Sequence, residues 1–302
     1  MSAAPKPQIQ LKPVEIKNIL FATDFGTASD PALRYAHAIA ARHGSKVYVL
    51  HVLPPEARIS VPLDKFPTEF DRVRQEAAEH MTKLLGGESM KGVAHDALIE
   101  RGNIAEIVPA TVETNSIDMV IVGTHGHRGL KKLMLGSVAE EIFRSAMCPV
   151  LTVGPHIAKD GMETGEFPHV LFTTDFSPGS IKALSWALWF ARQSQAQLTL
   201  LHVIDEISEA GVEYLDEVQA ACKQRMAELL PAGTGEWCHP QFFVDFGPAA
   251  DTITKIAEEQ HTDLIVMGAR KTAVPMATMH LPWATAYRVV CNAHCPVLTV
   301  RG

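Results

Sequence analysis

One arrangement of segments occurs twice along this chain, in the same order both times. Asn18-Ile-Leu-Phe-Ala-Thr-Asp-Phe25 returns as His169-Val-Leu-Phe-Thr-Thr-Asp-Phe176, and Val49-Leu-His-Val52 returns as Leu200-Leu-His-Val203. Asp118-Met-Val-Ile-Val-Gly123 returns as Asp263-Leu-Ile-Val-Met-Gly268, and Cys148-Pro-Val-Leu-Thr-Val153 returns unchanged from Cys295 to Val300. An ordered repeat of this length means one folding unit used twice, so any fold must be solved for half the chain and then duplicated. The second copy is a few residues shorter between its second strand and Asp263. The stretch from Gly154 to Pro168, rich in glycine, proline and charge, reads as the joint. The expected domains are 14–155 and 167–302. At 302 residues the chain is long for one core and comfortable for two.

Inside the first copy, apolar runs alternate with helical patterns. Ile19 to Thr23, Val47 to Val52 and Met119 to Val122 are short, rich in β-branched residues and free of charge apart from His51, as strands covered on both faces should be. Ala32, Leu33, Ala36, Ile39 and Ala40 recur at helical spacing, with Ser29-Asp30-Pro31 as start and His43-Gly44 as stop. Ile104, Ile107, Val108, Thr111 and Val112 form a second such face, with Asn103 as its N-cap. Phe70 to Leu85 reads as another helix, and Val93 to Ile99 as a weaker strand. Strands alternating with helices require crossover connections and a parallel sheet covered on both sides. The expected fold is α/β: two tandem, doubly wound parallel-sheet domains.

Composition narrows function by exclusion. A net charge of −7 argues against a broad nucleic-acid footprint, which needs a basic surface. No apolar stretch is long enough to span a bilayer. The segment MSAAPKPQIQLKP lacks a secretory core and reads as a disordered lead-in. Five cysteines without a CxxC pair favour reduced thiols and a cytoplasmic location. Cys291, His294 and Cys295 are close enough to suggest a metal. The plainer reading is preferred, because Cys295 has its counterpart at Cys148, where no such cluster exists. No metal ligands are assigned.

Ligands of open α/β sheets bind beyond the carboxyl ends of the strands, where the winding reverses. Two such ends carry chemistry. Thr23-Asp24 brings a carboxylate straight out of a buried strand. It could accept hydrogen bonds from a ribose or base, or simply cap the following helix. After Val122 come Gly123-Thr-His-Gly126-His-Arg-Gly129 and then Gly136-Ser137-Val138, which opens a helix. Glycines let a backbone approach phosphate closely, and a helix start offers free N–H groups. His127, Arg128, Lys131 and Lys132 add local positive charge. A flexible surface loop has the same ingredients, so both readings stand on the loop alone. Neither GxGxxG nor GxxxxGK[ST] is present. His51 and His202 read as packed, hydrogen-bonded residues rather than catalytic bases, and Met134 and Met147 as core.

On these residues the sequence resembles the universal stress protein family over nearly the whole chain, in two copies. Gly123-x2-Gly126-x9-Gly136-Ser137 is similar to the G-x2-G-x9-G-[ST] motif of that family's nucleotide-binding branch. The resemblance implies a Rossmann-like fold of the adenine nucleotide α-hydrolase type and an ATP site in the first domain, with or without Mg²⁺. It implies that Asp24 contacts the adenosine part and Val52 brackets adenine. Gly123, Gly126, Gly136, Ser137 and Val138 would wrap the phosphates. Gly26-Thr27 stand where the family often has a serine. In the second copy only Gly268 survives. Lys271 replaces the next glycine, and the Gly-Ser pair falls on Leu281-Pro282 or Trp283-Ala284, depending on register. Asp175 and Val203 remain.

The resemblance therefore implies a cytoplasmic stress-response protein that binds an adenine nucleotide in its first domain and acts through conformation or partners. No general base or acidic metal pair is evident, which argues against fast phosphoryl transfer and leaves slow ATP hydrolysis or autophosphorylation open. Nucleic acid and membrane are not expected as partners. A different class is a scaffold, in which the repeated Cys-Pro-Val-Leu-Thr-Val strand joins domains or chains as an internal pseudo-dimer or homodimer. A nucleotidyl transferase of related fold would need a catalytic constellation that is not seen.

Overall fold

The computed structural model describes residues 13–26, 29–55, 66–124, 135–154, 156–157, 164–205, 214–269 and 282–301. The lead-in, most of the glycine loop and its counterpart around Lys271 lie outside the described residues. The chain divides into two compact units, the first built on Glu15–Gly165 and the second on Glu166–Val289 and Val297–Gly302.

In the first unit, β1 (Asn18–Ala22), β2 (Lys46–Leu53), β3 (His95–Arg101), β4 (Met119–Gly123) and β5 (Val150–Val153) form a parallel sheet in the order β3-β2-β1-β4-β5. The winding runs outward from β1 to β3, then returns to the other side of β1 at β4. Right-handed crossovers then place α1 (Asp30–His43) and α2 (Phe66–Leu85) on one face, and α3 (Ile104–Thr114) and α4 (Ser137–Ser145) on the other. Ile19, Leu20 and Phe21 of β1 are wholly buried, as are Met119, Val120 and Ile121 of β4. Their uninterrupted apolar character follows from cover on both faces. This is the expected doubly wound domain.

The second unit repeats it with β6 (His169–Thr173), β7 (Gln197–Ile204), β8 (Gln241–Phe246), β9 (Leu264–Ala269) and β10 (Val297–Arg301), in the order β8-β7-β6-β9-β10. Its helices are α5 (Pro178–Ser194), α6 (Leu215–Leu229), the single turn α7 (Thr234–Trp237), α8 (Ala249–Glu259) and α9 (Pro282–Asn292). Phe167, just before β6, is fully buried against Phe190 of α5, and its N–H donates to Ser194 Oγ at 3.0 Å. The end of the joint is thus anchored. Gly165 is held equally closely in the first unit, where a Cβ would lie 2.6 Å from the Ala38 carbonyl oxygen and φ is +68°.

Several local expectations shift. The weak strand is β3, two residues later than its apolar run suggested, and α2 starts at Phe66. Asn103 stands at the N-cap of α3 without a side-chain cap bond. Ser29 does not cap α1 either: its backbone is helical (φ −82°, ψ −16°), and its hydroxyl is used elsewhere. In the second unit, Ser177 is extended and does cap α5, accepting from the Ser180 N–H. Met147 is 64% exposed, contrary to the core assignment, because it falls in the turn between α4 and β5. Met134 lies outside the described residues.

Candidate functional site

The register of the sheet gathers the sequence candidates at one edge. β1 lies between β2 and β4, with Ala22 opposite both Leu50 and Val122. Asp24, Val52 and Gly123 therefore leave neighbouring strands at the same carboxyl end. β4 leads to Gly123 and then to the buried Thr124, whose N–H donates to the Val153 carbonyl at 3.0 Å. The chain returns at Gly136, whose N–H donates to the Thr124 carbonyl at 2.6 Å. That bond closes the base of the glycine loop and sets Ser137 and Val138 beside the end of β4. Thr124 was not among the sequence candidates. Its carbonyl matters only because the loop returns to it, and no local pattern marks that. Gly126 and the four basic residues lie outside the described residues.

Gly136 is the N-cap of α4 and has no side chain with which to cap it. The Glu140 N–H reaches the Gly136 carbonyl, so the amides of Ser137, Val138 and Ala139 precede the first intrahelical bond. Ser137 is exposed and Val138 half-buried. Among the described residues these three amides have no backbone acceptor, so they form a donor set suited to an anion. Gly136 has φ −57° and ψ 150°, which any residue can adopt. No special backbone angle therefore requires glycine here.

At the end of β1 the chain makes a tight corner. Asp24 Oδ1 accepts from the Gly26 N–H at 2.9 Å and from the Ser29 hydroxyl at 3.0 Å. Thr23 Oγ1 accepts from the Phe25 N–H at 2.9 Å. Phe25 is held at φ 60°, left-handed and uncommon for a bulky residue. Its ring lies 4.4 Å from that of His51 and 5.4 Å from that of His80. The His51 Nδ1–H donates to the Thr23 carbonyl at 2.9 Å, so this histidine braces the corner, as a packed residue should. Asp24 therefore holds the corner ahead of α1 rather than capping that helix. One oxygen shapes the turn into α1, while the half-buried side chain stands at the winding switch.

The second unit repeats the corner. Phe176 has φ 59°, its N–H donates to Thr174 Oγ1, and Asp175 Oδ1 accepts from the Ser177 N–H. The His202 Nδ1–H donates to the Thr174 carbonyl at 2.7 Å. Arg225 takes the place of His80, its guanidinium 4.1 Å from the Phe176 ring centre. The paired Thr-Asp-Phe and His-Val segments could have signalled this corner, although not its left-handed phenylalanine.

The loop end is where the copies differ. α9 begins at Pro282 as α4 begins at Ser137, and proline has no N–H to offer. Gly268 has a different reason to be glycine: a Cβ there would lie 2.6 Å from Ser180 N and 2.7 Å from Ser180 Cα, both backbone atoms of α5. Leu281 and Lys271 lie outside the described residues. Among the described residues no three His, Cys, Asp or Glu side chains gather as metal ligands, Cys291, His294 and Cys295 included. No helix among them is long and apolar enough to cross a membrane.

Burial lowers the pKa of His51 below the ordinary 6.5, and nearby His80 acts in the same sense. The Thr23 carbonyl and the Asp24 carboxylate act against them without prevailing. Folding thus favours neutral His51. Its contribution to stability is complete above pH 6.5 and is lost as the pH falls from there through the lower folded-state value. Thermal unfolding at about pH 7.5 and about pH 5.5 should show a stability loss on acidification that is smaller in His51→Asn. An equal loss in both proteins would remove His51 as a source.

The family model for the universal stress protein family matches residues 15–154 and again 166–301. A universal stress protein of Mycolicibacterium smegmatis is 27% identical over 305 residues, covering 94% of this chain and 96% of that protein. One from Methanocaldococcus jannaschii is 30% identical over 139 residues, covering 45% of this chain and 81% of its own. The crystal structure of a universal stress protein from Archaeoglobus fulgidus shares the fold, with a TM-score of 0.68 at 22% identity, covering 94% of this chain and 98% of that one. Two family matches in tandem, over two copies of one doubly wound sheet, make this chain a two-domain member of the universal stress protein family.

Proposed function

We propose that the first domain binds ATP, placing the chain in the nucleotide-binding branch of its family, and that it acts in the cytoplasmic stress response through nucleotide-dependent conformation or partners. The observation that carries this reading is the orphan amide set of Ser137, Val138 and Ala139, brought to the end of β4 by the Gly136–Thr124 bond. A phosphate chain supplies the acceptors those donors lack. Gly123 and Gly126 would let the backbone close on it, Val52 would flank the adenine, and Asp24 would accept from the ribose. Mg²⁺ would be carried in on the phosphates, since the described residues offer no acidic cluster for it.

Isothermal titration of the full chain with ATP, with and without Mg²⁺, tests the reading. The expected stoichiometry is one ATP per chain, because the second domain starts α9 with proline where the first offers Ser137. Two equivalent sites would refute the division between the domains. Absence of binding would leave a non-nucleotide scaffold as the better account.

A further inference from the structure

Among the described residues the large apolar side chains left exposed are Met147, Tyr214, Val218, Trp237 and Phe243. All but Met147 sit at one margin of the second domain. Phe243 is on β8, Tyr214 and Val218 are at the start of α6, which packs against β8, and Trp237 ends α7, which leads into β8. Among the described strands β8 is the last of its sheet, so one side of its backbone faces no neighbouring strand. The corresponding strand of the first domain, β3, carries Asp96, Glu100 and Arg101, whereas the only charge on β8 is Asp245. Charge protects a sheet edge from pairing, and an apolar edge invites it.

The hydrogen bonds of β8 define which part of that edge is open. The Gly247 N–H donates to the Ile204 carbonyl at 3.0 Å, and β8 runs parallel to β7. Alternate residues of a strand turn their N–H and C=O groups to the same side. Gln241, Phe243 and Asp245 therefore face β7, and Phe242, Val244 and Phe246 turn their backbone groups outward. The Phe246 N–H is already accepted by Asp245 Oδ1 at 2.8 Å. Pro240, the outward residue before Phe242, has no N–H. Phe242 and Val244 are left as the outward donors.

We propose that two copies of this chain join through β8, antiparallel, about a two-fold axis at Phe243. Phe242 then exchanges backbone bonds with the partner's Val244, and Val244 with the partner's Phe242, so both open donors are used. Phe243 stacks on the partner's Phe243. The lone charge, Asp245, stands opposite the partner's Gln241, whose amide donates to its second oxygen, and no like charges on the two strands oppose each other. Neighbouring registers lose a bond. An axis at Phe242 sets Val244 against proline, and one at Val244 sets Phe242 against an N–H already taken. This strand is distinct from the repeated Cys-Pro-Val-Leu-Thr-Val strand, and the inference does not rest on nucleotide binding.

Sedimentation of the full chain from about 1 to 200 μM tests this, with a dimer expected to dissociate at tens of micromolar. Phe243→Lys opposes two charges at the axis and should weaken the dimer at least about tenfold, with an unfolding midpoint like the parent's. Phe243→Cys should form a disulfide-linked dimer under mild oxidation, because a non-hydrogen-bonded antiparallel pair holds its Cα atoms about 4.5 Å apart, within disulfide reach. Gln241→Cys, which would face Asp245, should cross-link no more than the parent. The proposal fails if the parent is monomeric throughout, if Phe243→Lys dimerises unchanged, or if Gln241→Cys cross-links as readily as Phe243→Cys.

Discussion

Gly136→Val is expected to lower ATP affinity at least about 100-fold, roughly 2.7 kcal/mol, while the protein stays folded. The two parts separate because the backbone at Gly136 is extended at φ −57° and ψ 150°, a region valine occupies readily. Its N–H also remains free to donate to the Thr124 carbonyl. What valine removes is space, since its branched side chain would stand where the phosphates approach the first amides of α4. Gly126→Val should act in the same direction. Ser137→Ala should cost less, about tenfold, because the hydroxyl is lost while the amide persists. Calorimetric titration with ATP, paired with thermal unfolding, distinguishes these effects. Undiminished binding in Gly136→Val would overturn the assignment.

The opposite outcome is expected at the matching end of the second domain. Gly268→Ala should destabilise that domain by about 3 kcal/mol and lower its unfolding midpoint by roughly 10 °C, with ATP binding unchanged. The added Cβ would sit 2.6 Å and 2.7 Å from Ser180 N and Cα and 2.8 Å from the Gly179 carbonyl carbon. These are backbone atoms at the start of α5, so no side-chain rotation relieves the clash. Either α5 is displaced from β9 or the strand is. Gly235 is the control: in α7 a Cβ meets nothing within 4 Å, and Gly235→Ala should leave stability nearly unchanged. If Gly268→Ala unfolds like the parent, the close approach of α5 is not what keeps glycine at this position.

These two substitutions mark how far the site could be read from residues in a row. Gly123 and Gly268 look alike in sequence, each closing an apolar run that follows an aspartate. The spacing to Gly136-Ser137 distinguished the copies, because a helix start without proline is a local property. The reason Gly268 remains glycine was not local, since it depends on Ser180, a residue of α5 far away along the chain. Ser29 shows the same limit. Its position before Pro31 marks a helix start, yet its hydroxyl bonds to Asp24, because the corner at Phe25 folds the carboxylate back within 3.0 Å of it. The β3 boundary slipped because Val93, although buried, lies before the strand, and period alone does not separate such a residue from the ladder.

The sequence by itself determined that one α/β unit is used twice and that its sheets are parallel and covered on both faces. Each follows from chain-local chemistry: apolar runs too short and too uniform for anything but buried strands, and helical spacing between them. Only the tertiary structure decided how the loop closes on Thr124, that Phe25 and Phe176 are left-handed and braced by histidines, and that Gly268 answers to packing. Those features are contacts between segments distant along the chain. Their geometry is set by sheet register and helix placement, which exist only once the whole domain has assembled.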